Sequence, residues 1–440
     1  MRNVTRVVSF VVLVCAFNLA ISVTLGASPP SGAPSSNLES ELGLTDNPPA
    51  SPHQVSERAS PNVESPEGSP LRSAAAIPAA SLTALGPAAA TDANPFARVP
   101  AATPASSDSQ QNTPGVVYRR GTSLLIDGRT FHFTGMNIYN ANSENNCSYS
   151  LGSGSLLDEQ LRQIGPGQEV FRAWFFQSLA MTGSRRDWRA FDHTLDTAAA
   201  RAERVIVTLG NQWGDCEDGT YKSEEWYRSG YKFRSGNDLV PYREWVSEVV
   251  SRYRTNPGVF LWQLMNEAED RASANDPCDV SAAETLKRWA DDVAELVKKI
   301  DPTHLVSVGT MGSGQCGSAG ESYTRLHTGP NIDVCEYHDY GDISSALPGD
   351  KWNGLAVRLR QCQLLGKPLI VGEMGMEGSV AGGSLSQRAA YFESKFKIQF
   401  ASGVAGILLW AWHAPPSRGP NNASYDIGPG DPALGLLTRY

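Results

Sequence analysis

A long N-terminal stretch of the chain lacks most of the residue types that build a folded core. Residues 27–114 contain no cysteine, tryptophan or lysine, and Phe96 is their only aromatic residue. The same stretch holds 15 of the 28 prolines in the 440-residue chain. Such a composition buries too little apolar surface to offset the entropy lost on ordering, so we predict a disordered linker over residues 27–114.

The rest of the sequence, residues 115–440, has no cluster of basic residues. Residues 1–114 hold 8 acidic and 5 basic residues, so most of the formal charge of −9 falls in residues 115–440. A mildly acidic surface excludes nucleic acid as an expected partner. All 10 tryptophans lie in this part, whose length is normal for one large α/β barrel domain. We therefore predict a monomeric globular domain at 115–440 that acts on a neutral polymer.

The first 26 residues contain few polar side chains. Arg2 and Arg6 precede the apolar run VVSFVVLVCAFNLAISVTLGA, which ends in small residues as secretory signal peptides do. The run is also close to the length that spans a bilayer. We expect residues 1–26 to be a cleaved signal, with an uncleaved membrane anchor as the alternative. Either outcome places the globular part outside the cell, secreted or held at the outer face of the membrane.

The cysteines do not form a metal-binding motif. Six of them follow the signal, none in a Cys-x-x-Cys pair and none at zinc-ligand spacing from a histidine: Cys147, Cys216, Cys278, Cys316, Cys335 and Cys362. An even number in an exported chain predicts disulfides, although the sequence does not select the pairing. Buried free thiols are the alternative. We expect neither a metal nor a cofactor.

Eight short apolar runs alternate with longer amphipathic stretches. The predicted strands are FHFTGMN (131–137), EVFRAWF (169–175), RVIVTLG (204–210), VFLWQLM (259–265), LVSVG (305–309), IDVCEYH (332–338), PLIVGEM (368–374) and GILLWAW (406–412). The stretch TLKRWADDVAELVKKI places apolar residues on one helical face and ends before Asp301-Pro302. Alternating strands and helices predict parallel βα units, and eight such units predict a closed (β/α)8 TIM barrel.

Two further observations bear on the architecture. The stretch at 116–131 predicts an N-terminal β-hairpin that turns at Asp127-Gly128 and caps the barrel floor. No Gly-x-Gly-x-x-Gly turn follows the first predicted strand, which continues into MNIYNANSENN. An open doubly wound sheet, the alternative architecture, would usually carry that phosphate-binding turn, so the barrel is favoured.

Polar and aromatic residues occupy the ends of the predicted strands, where barrel enzymes place their chemistry. These residues are Asn137, Arg172, Trp174, Asn211, Gln212, Trp213, Asn266, Glu267, His338, Tyr340, Glu373, Trp410 and Trp412. The set lacks the His-x-His run and the carboxylate clusters of metal-dependent barrels. Indole rings can stack on the apolar faces of sugar rings, and amide and imidazole groups can bind their hydroxyls. The residue types therefore indicate sugar chemistry.

Glu267 and Glu373 are the two carboxylates of this set. They lie at the ends of the fourth and seventh strands, so they are expected on opposite walls of the barrel mouth. One protonated and one ionised carboxyl group can together hydrolyse a glycosidic bond. A separation of about 5–5.5 Å would indicate retention of configuration, and about 6.5–9.5 Å would indicate inversion.

Seven segments, in this order, resemble glycoside hydrolase family 5, a family of retaining barrel hydrolases, and especially its endo-β-1,4-mannanases. They are GTSLLIDGRTFHFTGMNIY, FRAWFF, LGNQWGD, LWQLMNEAE, EYHDYGD, KPLIVGEMG and LLWAW. The resemblance covers residues 116–415. Gln212 and Gln263 depart from it, since many mannanases have Asn and Glu there, and GEMG stands in place of the common EEFG. These departures leave the preferred polysaccharide open.

The resemblance implies catalytic roles for two residues and supporting roles for two more. Glu267 corresponds to the general acid/base and Glu373 to the nucleophile. Arg172 and Tyr340 correspond to the residues that hydrogen-bond the nucleophile and keep it ionised. A cation such as Arg172 would lower the pKa of the carboxyl group beside it, and partial burial would raise the pKa of the other. The two carboxyl groups would then divide the tasks in this way.

The resemblance also implies a sugar-binding set. Asn266 corresponds to the residue that contacts the sugar 2-hydroxyl, His338 to a residue of the same subsite, and Trp410 to the platform under the sugar whose bond is cut. The other candidate substrate-binding residues are Trp174, Asn211, Trp213 and Trp412.

We therefore predict a secreted retaining glycoside hydrolase that cleaves a β-1,4-linked polysaccharide, with mannan as the first choice. A β-1,4-glucanase or an exo-acting β-mannosidase of the same family is the alternative. A non-catalytic carbohydrate-binding protein, anchored by the N-terminal segment, is an alternative of another class. The presence of both glutamates counts against it, because binding alone does not require them.

Overall fold

The computed structural model describes residues 113–143, 155–379, 381, 383–412 and 424–440. The predicted signal, the predicted linker up to residue 112 and Cys147 lie outside these ranges. Within the ranges, no helix combines the length and the apolar character needed to cross a lipid bilayer.

A small antiparallel sheet precedes the barrel. Its strands are β1 (Val117–Arg120), β2 (Ser123–Ile126) and β3 (Arg129–Thr130). The predicted turn joins β2 to β3, and Asp127 and Gly128 have φ angles of 49° and 79°, as a type I′ turn requires. The prediction of a single hairpin was incomplete, because a second turn at Gly121 folds β1 back onto β2.

Eight parallel strands form the main sheet and coincide with the eight predicted runs. In chain order they are β4 (Phe133–Asn137), β5 (Val170–Trp174), β8 (Arg204–Thr208), β9 (Val259–Gln263), β10 (Leu305–Ser307), β11 (Cys335–Asp339), β12 (Leu369–Met374) and β13 (Val404–Leu409). Two short strands, β6 (Met181–Thr182) and β7 (Arg185–Arg186), pair in the loop after β5. The last barrel strand pairs with the first, and a parallel bridge between Ser307 and Val334 links β10 to the chain entering β11. The predicted (β/α)8 TIM barrel is confirmed.

Helices connect the strands of the barrel. In the described residues they are α1 (Ser155–Ile164), α2 (Arg189–Ala200), α3 (Glu224–Arg228), α4 (Tyr242–Tyr253), α5 (Ala282–Ile300), α6 (Glu321–His327), α7 (Leu355–Leu365) and α8 (Leu385–Ala401). Short 3₁₀ turns lie at Gln177–Ala180, Gly230–Lys232 and Pro432–Leu436. The predicted amphipathic helix is α5, whose apolar face, including Leu286 and Trp289, is buried, and whose last residue precedes Asp301.

The inward-facing residues of the barrel strands form two layers. The lower layer is apolar and includes Val170, Ile206, Leu261, Leu305 and Val334. Two positions further along the same strands lies a fully buried polar layer of Arg172, Thr208, Gln263, Ser307 and Glu336. Successive side chains on a strand point to opposite faces, so residues two apart share the barrel interior. Val117 and Leu124 pack against the lower layer, which confirms that the N-terminal sheet caps the barrel floor.

Two disulfides lie in the described part of the chain. Cys278 pairs with Cys316, and Cys335 pairs with Cys362. The first links the loop after β9 to the loop after β10, and the second links β11 to α7. The predicted disulfide bonding is confirmed for these four cysteines.

Candidate active site

Glu373, on β12, accepts hydrogen bonds from two residues that come from other strands. Arg172 Nη1 lies 2.5 Å from Glu373 Oε1, and the Tyr340 hydroxyl donates to Glu373 Oε2 at 2.6 Å. Neither the Arg172 nor the Glu373 side chain is more than 1% exposed. A buried carboxylate with two such donors is stabilised in its charged form by direct contacts rather than by water.

Arg172 is the centre of the polar layer. Its guanidinium donates to Gln263 Oε1 at 2.8 Å, to Asn137 Oδ1 at 3.0 Å and to Asn266 Oδ1 at 2.6 Å, in addition to Glu373. Only the planar fork of an arginine can reach acceptors in so many directions at once. The strands that supply these groups therefore fix the position of the Glu373 carboxylate.

Glu267 follows β9 and is 1% exposed. The indole Nε1 of Trp213 donates to Glu267 Oε2 at 2.7 Å, and His338 Nδ1 lies 2.7 Å from Glu267 Oε1. The backbone of Glu267 has a φ of 56°, in the left-handed region that non-glycine residues rarely occupy. Unfavourable backbone conformations of this kind concentrate at functional sites, where neighbouring contacts hold them in place.

His338 lies between the two glutamates. Its Nδ1 is 3.5 Å from Glu373 Oε2 as well as 2.7 Å from Glu267 Oε1. One oxygen of each carboxylate and one ring nitrogen of His338 all lie within 4.8 Å of one another. Burial lowers the pKa of His338, but the carboxylates of Glu373, Glu267 and Glu336 outweigh it and raise the pKa to about 9.

The ligand atoms of Glu267, His338 and Glu373 lie close enough together to hold a metal ion. In the described ranges, no other group of histidine, cysteine, aspartate or glutamate side chains has this spacing. The oxygens of the two carboxylates already accept hydrogen bonds from a guanidinium, a phenol and an indole. These donors compete with a metal ion for the carboxylate oxygens, and the absence of a metal stays a prediction from the sequence.

Two asparagines connect the two glutamates. Asn266 Nδ2 donates to Asn211 Oδ1 at 2.9 Å, and a parallel β-bridge joins the backbones of the two residues. Asn266 also accepts from Arg172, and Asn211 Oδ1 accepts from the Trp213 backbone amide. The predicted third and fourth strand ends therefore meet in one network.

An aromatic wall adjoins the network. The Arg172 guanidinium lies 4.5 Å from the ring centroid of Trp174, and Trp174 lies 6.0 Å from Trp410. Trp410 stacks on Tyr139 with 5.5 Å between ring centroids. Trp412 is buried in the same hydrophobic cluster as Trp174 and Trp410, and its role in the site stays a prediction.

Sequence reasoning missed one residue of the cluster, Glu336. It is fully buried on β11 and lies beneath His338, with His338 Nε2 3.6 Å from Glu336 Oε1. Its signal in the sequence is an acidic residue inside an apolar strand, two positions before His338. Charged residues are almost never fully buried unless they are paired, so an acid at an inward position predicts a partner.

The sequence of this region matches a known family. Residues 246–425, which include both glutamates, match the family model described as glycoside hydrolase family 5 β-mannosidase-like. The resemblance to glycoside hydrolase family 5 is confirmed. The predicted enzyme class, a hydrolase of O-glycosyl bonds, is confirmed at the level of this family.

Two named relatives extend the match over most of the chain. Mannan endo-1,4-β-mannosidase 7 of Oryza sativa subsp. japonica is 27% identical over 345 residues, which cover 68% of this chain and 84% of the relative. Mannan endo-1,4-β-mannosidase F of Aspergillus fumigatus is 24% identical over 365 residues, which cover 73% of this chain and 76% of the relative.

A solved structure supports the barrel fold independently. The endo-1,4-β-mannanase from Rhizomucor miehei superposes with a TM-score of 0.54 at 19% identity. The superposition covers 73% of this chain and 97% of that structure. At this level of identity the similarity establishes a shared barrel architecture.

Proposed function

We propose that this chain is a retaining endo-β-1,4-mannanase that uses Glu267 and Glu373 as its catalytic pair. The observation that carries the proposal is the approach of the two carboxylates, whose oxygens lie within 4.8 Å of each other. Retaining glycosidases hold their carboxyl groups about 5–5.5 Å apart, whereas inverting enzymes separate them by about 6.5–9.5 Å to admit a water molecule. The spacing supports retention.

In the first step, Glu373 attacks the anomeric carbon while Glu267 protonates the departing glycosidic oxygen. The bond between the anomeric carbon and that oxygen breaks, and the sugar remains as an ester of Glu373. In the second step, Glu267 takes a proton from water, whose oxygen bonds to the anomeric carbon and displaces Glu373. Both carboxyl groups return to their starting protonation states.

The contacts of the two glutamates support this division. Glu373 accepts from Arg172 and Tyr340, which stabilise negative charge on the attacking group. Glu267 contacts the imidazole of His338, with which it can share a proton, and accepts a hydrogen bond from the neutral indole of Trp213. The surroundings of Glu267 and Glu373 therefore differ, as the separate roles of acid and nucleophile require.

The remaining predicted residues are proposed to bind the sugar. Asn266 and Asn211 offer amide groups to hydroxyls beside the reacting carbon. Trp410 and Trp174 offer aromatic faces against which an apolar sugar face can pack. Trp213 combines a partly exposed ring with its hydrogen bond to Glu267. Trp412, which is buried in the same cluster as Trp174 and Trp410, is part of the proposed set.

Mannan is proposed as the substrate because both relatives described above are named mannan endo-1,4-β-mannosidases. An exo-acting β-mannosidase is the second candidate, since the matching family model is described as β-mannosidase-like. The two differ in product length. An endo-acting enzyme releases oligosaccharides early in the reaction, whereas an exo-acting enzyme releases only mannose.

We further propose export of the chain. The disulfides Cys278–Cys316 and Cys335–Cys362 are characteristic of oxidising compartments. Together with the predicted signal at 1–26 and linker at 27–114, they support a secreted or surface-held catalytic domain at 115–440, which we propose is monomeric. The proposed reaction needs polysaccharide and water and no cofactor.

The test is a substrate panel with a matched inactive control. Wild-type protein and the Glu373→Gln variant are incubated with mannan, glucomannan, carboxymethylcellulose and xylan, and reducing ends and product lengths are measured. We expect oligosaccharides from mannan with the wild type and at least a 1000-fold lower rate with the variant, on the order of losses seen for removed nucleophiles. Binding without cleavage by folded wild-type protein would overturn the proposal and favour a carbohydrate-binding role.

A further inference from the structure

Glu336 is a third buried carboxylate in the barrel, below the two proposed catalytic residues. Its Oε1 accepts from Gln263 Nε2 at 2.6 Å, and its Oε2 accepts from the Ser307 hydroxyl at 2.6 Å. His338 Nε2 lies 3.6 Å from Glu336 Oε1. The contacts fix a negative charge on the side of the imidazole ring that faces away from Glu267.

A glycine on the neighbouring strand makes room for this carboxylate. A Cβ atom on Gly372 would lie 1.9 Å from Glu336 Oε1, so any larger residue at that position would displace Glu336. Gln263 and Gly372 are two positions at which the chain departs from the family 5 pattern described above, and both border Glu336. The surroundings of Glu336 therefore differ from that pattern at two positions.

The ring of His338 lies in an excess of negative charge. Three carboxylates face the ring, those of Glu267 after β9, Glu336 on its own strand and Glu373 on β12. Arg172 on β5 and Tyr340 after β11 contact the Glu373 carboxylate. Arg172 is paired with Glu373, and Glu336 places a further negative charge beside the imidazole of His338.

We propose that Glu336 is a positioning residue that keeps one proton on the Glu267–His338 pair at neutral pH. The inference rests on the proposed function, because this proton matters to catalysis only if Glu267 is the general acid. When the glycosidic bond breaks, the pair gives its proton to the departing oxygen, and Glu373 bonds to the anomeric carbon. When the intermediate is hydrolysed, the pair recovers a proton from the attacking water.

The ionisation of the cluster supports this assignment. Burial lowers the pKa of His338, but Glu373, Glu267 and Glu336 outweigh it and raise the pKa to about 9. Burial raises the pKa of Glu336, but His338 and Arg172 outweigh it and hold that pKa below its usual value. Each group therefore stabilises the charge of the other.

The experiment measures the titration of His338 by NMR in protein labelled at the histidine ring. The His338→Gln variant serves only to assign the signal. We expect a wild-type midpoint well above the usual value for histidine, and a decrease of about one pH unit or more in the Glu336→Gln variant, because a buried neighbouring charge is removed. Ser307→Ala is the matched control, since it removes a hydrogen bond to Glu336 but keeps its charge, and it should shift the midpoint by less than about half a unit.

A Glu336→Gln midpoint equal to that of the wild type would overturn the inference, as would a wild-type midpoint at or below the usual histidine value. If Glu336→Gln does not fold, Glu336→Asp keeps the charge but withdraws it by one methylene group, and a smaller decrease is expected. If Glu336→Asp folds and its His338 midpoint equals that of the wild type, the result counts against the inference.

The pH profile of activity provides a second readout. The alkaline limb of kcat/KM reports loss of the proton from the pair, so Glu336→Gln should move this limb to lower pH by the same amount as the NMR midpoint. A structural role alone would lower the rate at every pH without moving the limb. The NMR titration requires no substrate, so it tests the inference even if the protein fails to cleave any polysaccharide.

Discussion

Arg172 and Glu373 form an ion pair inside the barrel, with Nη1 2.5 Å from Oε1 and both side chains inaccessible to solvent. The same guanidinium donates to Asn137, Gln263 and Asn266. A charge pair that is removed from water is favourable only when its other hydrogen-bonding positions are satisfied. The network around Arg172 meets that condition and at the same time fixes the orientation of the Glu373 carboxylate.

Replacement of Arg172 by lysine is predicted to be damaging although the charge is kept. A lysine cannot donate in the four directions that Arg172 serves, so Gln263 and Asn266 would lose buried donors. We expect kcat to fall at least about 100-fold and the free energy of unfolding to fall by about 2–4 kcal/mol. Denaturant unfolding and mannan hydrolysis measure the two effects.

The matched control for Arg172→Lys is Arg201→Lys. Arg201 pairs with Glu203 outside the barrel, with its side chain 36% exposed. Partly exposed pairs contribute little, so its free energy of unfolding should change by less than about 1 kcal/mol and its activity should not change. Wild-type behaviour of Arg172→Lys would show that Glu373 does not depend on this contact.

A second prediction concerns the acid role of Glu267. In Glu267→Gln the first step loses its proton donor, so cleavage of mannan should fall by a factor of about 100 to 10,000. An aryl β-mannoside with a dinitrophenolate leaving group needs no protonation, so the variant should still release a burst of phenolate close to one equivalent per enzyme. Glu373→Gln should show no burst. Equal losses on both substrates would remove Glu267 from the acid role.

Asp270 provides a prediction about stability. Asp270 lies three residues after Glu267 and is completely buried. Its carboxylate oxygens accept no hydrogen bond from the described residues. Burial, with Glu224 adding to it, raises the pKa of Asp270 to about 7. A folded-state pKa above the unfolded value means that folding binds a proton, so this contribution to stability is lost as pH rises from about 4 to about 7.

Asp270→Asn removes that dependence. The variant should gain Tm relative to wild type, by little near pH 5 and by several degrees at pH 8. Asp276→Asn, at an exposed position in the same loop, is the control and should leave the Tm unchanged at both pH values. Thermal melts followed by circular dichroism decide the matter, and a gain that is independent of pH would contradict the stated cause.

Most of the fold was predictable because short apolar runs and amphipathic stretches have different periods. The run RVIVTLG, for example, became β8 (Arg204–Thr208), and its end supplies Asn211 and Trp213. Glu267 and Glu373 could be found because barrel strands bring their carboxyl ends to one face. The barrel topology predicts that the two residues are close, but the distance between their carboxylates depends on side-chain packing.

The parts that could not be predicted depend on register and tertiary contact. Glu336 lies within a strand, and a shift in pairing between Tyr337 and His338 interrupts the register of β11 against β12. An irregularity of this kind decides which side chains share the interior, and it has no reliable signal in one sequence.

The central claim is that Glu267 and Glu373 act as the acid/base and nucleophile of a retaining hydrolase. It is tested most directly by ¹H NMR of the first product released from mannohexaose, before the reducing end equilibrates. Double displacement predicts that the new reducing end appears first as the β-anomer. Initial release of the α-anomer would contradict the account, because it requires direct attack by water across a wider gap between the carboxylates.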